Sequence, residues 1–200
     1  AGSIEVAINY PGSGGSIYDT VTATAVASPT SVVLAGTSSS RSAAVRLIAT
    51  KNGMNQYSAL SVDTSFATSP NSPLANRFVG AYDKDYVQAV GVRSDGRIVL
   101  AGRYIDSSNR QFGITTRLKA DGSADDSFAT GGLGVIHYAP TSSGGSIGSN
   151  YTEFKGILFD QNRMVLVGSS SDSTSSANDL DVVVTRMTSD LIFFDGFEQH

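Results

Sequence analysis

The sequence predicts an all-β fold built of three four-stranded antiparallel units of the kind that make propeller blades. Three observations predict it. One motif recurs three times, with closing glycines Gly36, Gly102 and Gly168 evenly spaced at 66 residues. Short runs rich in Val, Ile and Leu are separated by Asp, Asn, Gly and Ser, which is strand-and-turn chemistry. No window sustains the 3.6-residue apolar period of a helix. Repetition of this kind divides the 200 residues into a lone strand at 4–10, a first blade at about 20–83, a second at about 86–139 and a third at about 151–195.

Each unit opens on two strands joined by a tight turn and closed by a glycine. The copies are Ala25–Gly36, Ala89–Gly102 and Gly156–Gly168. Ser94-Asp95-Gly96 and Asp160-Gln161-Asn162 supply residues that tolerate positive φ at the turn. A third strand follows at Ala43–Ile48, Phe112–Leu118 and Val182–Met187. Each contains an arginine (Arg46, Arg117, Arg186) followed at once by a large apolar residue, so the two point to opposite faces. Next comes Asp63-Thr64-Ser65-Phe66 in the first unit and Asp125-Asp126-Ser127-Phe128 in the second, with no counterpart in the third. A fourth strand is expected at Val6–Tyr10, Val79–Tyr82, Val135–Tyr138 and Leu191–Phe194, where Tyr10, Tyr82 and Tyr138 recur as packing residues. Thr37–Ser42 and Ser169–Ser176 read as polar loops between the second and third strands.

Propeller rings hold typically about four to eight such blades, so three leave a ring incomplete. The expectation is a partial β-propeller: part of a longer chain, half of an oligomer-completed ring, or an open stack whose edges a partner covers.

Composition narrows the partners. Hydrophobic residues make up 40% of the chain, enough for a core, and charged residues only 16%. A net charge of −4 with no Lys/Arg cluster disfavours nucleic acid. There is no cysteine, which removes disulfides and thiolate metal sites. No apolar run reaches the roughly 18 residues that span a bilayer. The opening Ala1-Gly2-Ser3 reads as a processed mature terminus or a cloning scar.

The second unit resembles the Delta-60 repeat of bacterial proteins. Ser94-Asp95-Gly96-Arg97-Ile98-Val99-Leu100-Ala101-Gly102, then Thr116-Arg117-Leu118-Lys119-Ala120-Asp121-Gly122-Ser123-Ala124-Asp125-Asp126-Ser127-Phe128 and Gly131-Gly132, follow that family's pattern across almost the whole unit. The first unit lacks the Asp-Gly turn and the third lacks the Asp-Ser-Phe segment. The resemblance implies a propeller-like assembly in exported or surface proteins, and no catalytic residues. Ile192–Glu198 is similar to a short ending found on some secreted bacterial proteins, which would make it a natural C-terminus.

Candidate chemistry is sparse. Gly144-Gly145-Ser146-Ile147-Gly148 fits a nucleophile elbow, but Gly14-Gly15-Ser16-Ile17-Tyr18 stands at the same place ahead of the first unit, so the segment belongs to the scaffold. His137 and His200 are the only imidazoles, too few for a histidine-rich metal site. Asp121, Asp125 and Asp126 are candidate Ca²⁺ ligands on a Gly-containing loop, although their spacing departs from an EF-hand and turn capping explains them more simply. Arg46, Arg117 and Arg186 form either a cationic ring for an anionic ligand or ion pairs with the acidic turns of their own blades. No catalytic residue, cofactor site or glycosidase carboxylate pair is assigned.

These readings favour a non-enzymatic binding or assembly module, secreted, periplasmic or on a bacterial surface. A protein partner, a second copy of the chain or a glycan is its expected contact. A structural subunit of a larger complex is one alternative. The other is a hydrolase or lyase, which requires acids that break the repeat (Asp19, Asp83, Asp85, Glu153) to gather at one pocket.

Overall fold

A computed structural model describes residues 19–38, 40–66, 77–78, 84–129, 133–136, 151–160, 163–171 and 181–187. Among them the chain forms strands and turns and no helix. The first sheet contains β1 (Asp19–Ser28), β2 (Ser31–Ser38), β3 (Arg41–Lys51), β4 (Tyr57–Val62) and β5 (Arg77–Phe78), in the order β1-β2-β3-β4 with β5 also pairing β3. The middle sheet runs β6 (Asp85–Val92), β7 (Ile98–Ile105), β8 (Gln111–Leu118) and β9 (Leu133–Ile136) in sequence order. The third runs β10 (Tyr151–Asp160), β11 (Arg163–Ser171) and β12 (Asp181–Met187). Every pairing is antiparallel, and among the described residues no sheet closes on itself.

The turns form as their residues dictate. In the loop 93–97 the Arg93 amide donates to the Arg97 carbonyl and the Gly96 amide to the Arg93 carbonyl, with Gly96 at φ 84°. Loop 119–123 repeats this pattern with Gly122 at φ 82°. This is a type I turn ended by a left-handed residue, the conformation that glycine adopts without penalty. Loops 52–56 and 106–110 share the bonding, with Asn55 and Asn109 in the left-handed place and the Asn52 and Asp106 side chains accepting two amides each.

The recurring glycines have a different cause. The first strand of each sheet carries a bulge opposite its glycine, between Val21 and Ala23, between Val87 and Ala89, and between Phe154 and Gly156. The bulge presses a carbonyl oxygen onto the second strand. A Cβ on Gly36 would stand 1.8 Å from the Thr20 oxygen, and on Gly102 or Gly168 it would stand 1.9 Å from that of Tyr86 or Glu153. No side chain fits there, so each copy of the motif ends in glycine.

The sheets stack face to face in chain order. Val33, Ala35, Ala44 and Phe66 of the first pack on Val87, Ile98, Leu100 and Leu118 of the middle sheet. Val99, Ala101 and Phe128 of the middle sheet pack on Phe154, Met164, Leu166, Val183 and Met187 of the third. Strand β7 therefore feeds alternate residues into two cores. The first strand of each following sheet does most of the covering: β6 lies against β1, β2 and β3, and β10 against β6, β7 and β8.

Several expectations need correcting. The first sheet has five strands rather than four, because the third strand runs on beyond Ile48 and folds back through loop 52–56 as β4. In the middle sheet the same place is the tight turn 119–123, reduced to a single bridge between Leu118 and Ala124. The third sheet shows three described strands. Of the expected fourth strands, only residues 135–136 fall among those described, within β9, while Phe78 pairs with Ala43 just ahead of 79–82. The described parts of the serine-rich stretches are mostly strand: Thr37, Ser38, Ser42 and Ser170 are buried residues near strand ends, and the Ser170 hydroxyl meets that of Thr152 at 3.3 Å.

Candidate functional site

The polar residues multiplied by the repeat form the same device twice. In the first sheet the Asp63 amide donates to the Arg46 carbonyl at 2.9 Å and the Phe66 amide to the Asp63 carbonyl at 3.2 Å, turning the chain back across β3. The Arg46 guanidinium then donates to Asp63 Oδ2 at 2.6 Å, Ser65 donates to Oδ1 at 2.6 Å, and the guanidinium lies 4.8 Å from the centre of the Phe66 ring. The middle sheet repeats each element. Arg117 Nε meets Asp125 Oδ2 at 2.7 Å, Ser127 Oγ meets Oδ1 at 2.6 Å, and Arg117 sits 4.7 Å from the Phe128 ring. Between the two copies runs a cross-link: Arg46 also donates to the Ala120 carbonyl in the turn of the next sheet at 2.5 Å.

This geometry sets the charge state of the aspartates. Burial alone would raise the carboxyls of Asp63 and Asp125, but hydrogen bonds from Ser65 and Ser127 and the adjacent guanidinium outweigh it and hold both below the ordinary carboxylate value. Asp125 is further bound by Arg97 at 2.9 Å. Its lone pairs are thus engaged by cations and by Ser127. Asp121 lies apart from this device. Its side chain caps the Ser123 amide at 2.8 Å, and the hydrogen bonds from Ser123 lower its carboxyl as well. Asp126 is solvent-exposed. Asp121 and Asp125 thus serve separate structural contacts, and among the described residues no group of three or more His, Asp or Glu is placed to hold a metal ion.

Of the three repeated arginines, Arg46 and Arg117 make the ion pairs within their own sheets, and Arg186 is exposed on β12. Ser146, His137, His200, Asp83, Tyr10, Tyr82 and Tyr138 lie outside the described residues, as does the side chain of Asp19. Asp85 and Glu153 occupy different junctions, and Asp85 stands in register with Asp19, each pairing two residues beyond its sheet's closing glycine. Asp85, fully buried, accepts the Ser42 amide at 3.0 Å and ties the middle sheet to the first, where Thr22 also donates to the Val87 carbonyl at 2.6 Å. Glu153, also buried, lies between the middle and third sheets. It accepts Arg103 at 2.7 Å and the Tyr151 hydroxyl at 2.6 Å, with Lys155 at 3.5 Å. Burial, then the hydrogen bond to Glu153, raises the Tyr151 hydroxyl above its ordinary value.

The Arg103–Glu153–Tyr151 cluster was not legible from the repeat, since its members stand in different units and Arg103 corresponds to Thr37 and Ser169 in the others. Chemically it is an ion pair bridged by a hydroxyl, Tyr151 lying 3.5 Å from Arg103 Nη1 and 2.6 Å from Glu153, while Arg103 Nε is buried without a hydrogen-bond partner. Arginine keeps its proton at any physiological pH, and so cannot act as a base.

Exposed apolar side chains mark the two ends of the stack. Leu158, Val182 and Val184 stand on the outer face of the third sheet, and Val21 and Val26 on the outer face of the first. The β3–β4 hairpin adds Met54, Tyr57 and Leu60.

No protein-family model matches this chain, and a search of curated proteins finds no similar sequence.

Proposed function

We propose that the chain is a non-enzymatic, exported binding or assembly module of propeller-type blades, related to the Delta-60 repeats, which holds a protein partner or a surface glycan through sheet ends and loops. The observation that carries this reading is the paired device Arg46–Asp63–Ser65–Phe66 and Arg117–Asp125–Ser127–Phe128. Charged groups that a catalyst would present to a substrate are instead spent on tying each of these two sheets to its own return segment, and Arg46 also ties the first sheet to the next. Asp85 and Glu153 serve separate junctions. No helix among the described residues is long and apolar enough to cross a membrane.

The test is co-sedimentation of the purified protein with isolated bacterial envelope, with release of soluble sugar or peptide fragments followed in the same tubes. Saturable binding without fragment release is expected. Fragment release abolished by Glu153→Gln or Asp85→Asn would refute the non-enzymatic reading. Binding that never saturates would refute a specific contact.

A further inference from the structure

We infer that the outer face of the third sheet and the outer face of the first are two halves of one junction, and that their occupant is a second copy of this chain joined head to tail. The inference deepens the assembly reading above and rests on it.

The argument starts from the two junctions inside the chain. In both, the first strand of the following sheet is laid across the three strands of the preceding one. At the second junction small residues receive rings. A Cβ on Gly91 would stand 2.7 Å from the Phe159 ring, and one on Gly113 would stand 2.4 Å from the ring of Phe154. The strand registers identify what stands at these places elsewhere. Gly91 pairs with Val99 as Leu158 pairs with Val165, and Gly113 pairs with Arg103 as Val182 pairs with Ser169. On the opposite side, Phe159 corresponds to Val26 and Phe154 to Val21, since Val26 pairs with Val32 as Phe159 with Met164, and Val21 pairs with Gly36 as Phe154 with Gly168.

At the free ends the sizes are exchanged. Glycine against phenylalanine at the second junction, where the first has Ala25 and Ser42 in register with the glycines and Val92 and Val87 with the rings, becomes Leu158 against Val26 and Val182 against Val21 between the ends. The receiving face has gained side chains, and the inserting face has lost its rings. A fourth sheet carrying phenylalanines would collide with Leu158 and Val182, whereas β1 of another copy fits them. The five side chains concerned are exposed to degrees a buried junction would not leave: Val21 54%, Val26 75%, Leu158 63%, Val182 75% and Val184 48%. Solvated apolar residues clustered on a sheet face, as Leu158, Val182 and Val184 are, mark a contact surface. A head-to-tail contact either closes into a ring or grows into a filament. Two chains of three sheets would make six, within the size range of propeller rings.

The absence of cysteine permits a clean test. Val26→Cys and Leu158→Cys are prepared separately, both at exposed positions where folding is not at stake, and oxidised alone and mixed. The expected result is a disulfide-linked species of twice the 20.8 kDa chain mass in the mixture and not in either variant alone. Light scattering on the unaltered protein should show a mass above one chain, and Val182→Lys with Val184→Lys should weaken association by roughly a hundredfold, the scale of placing two charges in an apolar contact. A strictly monomeric protein overturns the inference, and so does a cross-link formed by one variant with itself, which would mean like faces pairing. A monomer that still binds envelope saturably would leave the binding reading standing and remove only this one.

Discussion

Replacing Gly102 by alanine tests the bulge that all three sheets share. The new methyl carbon would lie 1.9 Å from the Tyr86 carbonyl oxygen, where ordinary contacts begin at 3.4 Å. The two strands must therefore separate by about 1.5 Å at a point where both are backbone, with no flexible side chain to swing away. Overpacking of this kind costs about 1–3 kcal/mol. Separation also weakens the adjoining ladder hydrogen bonds, each worth about 1 kcal/mol. The expected loss is about 3–4 kcal/mol, a large share of the roughly 5–15 kcal/mol that holds a domain together. Gly156→Ala is the control. It sits beside the third bulge, but its added carbon would lie 3.8 Å from Val167, so a gain of about 0.5 kcal/mol is expected from a stiffer unfolded chain. Urea unfolding followed by circular dichroism measures both. A Gly102→Ala protein within about 0.5 kcal/mol of the parent would refute the account of the bulge, and so would equal effects at the two positions.

Two further perturbations address the device and the cores. Because Asp125 is held below its unfolded value of about 3.9, its ionised form contributes stability that is present above about pH 4 and lost as pH falls through the folded value. Asp125→Asn should therefore destabilise the protein at pH 7, by about 3 kcal/mol because Arg117 is left buried, and should flatten the acid loss; melting temperatures from pH 7 down to pH 2 check this. Phe66→Ala removes a fully buried ring shared by the first and middle sheets and should cost about 3–5 kcal/mol. Hydrogen exchange should then quicken in β6, with Phe128→Ala showing the same effect in β10.

What could be read in advance was whatever the chain repeats. Gly96 and Gly122 announced turns through their left-handed backbone, and the period of the glycines marked matching places in three sheets. The pairing of Arg46 and Arg117 with Asp63 and Asp125 is one of the two uses the sequence offers for those arginines. What escaped was unrepeated. Tyr57–Val62 has no counterpart to align with, and among the described residues its partner, the extension of β3, occurs in the first sheet alone. In the serine stretches side-chain polarity does not signal solvent. Ser38 and Ser170 are fully buried. The Arg103–Glu153 pair joins residues 50 apart across two sheets, a relation that no local pattern carries.

Strand β7 is apolar on both sides, and that leaves it with an ambiguous alignment. In a sheet with one wet face, sliding a strand by one residue exposes its oily side and is forbidden at once. Here such a slide would merely exchange Ile98 and Leu100 for Val99 and Ala101, and water would not object. The ratchet tooth is Gly102: move it one notch either way and Ala101 or Arg103 arrives under the Tyr86 oxygen, where neither has room. A single missing methyl group thus keeps time for a strand whose oiliness cannot.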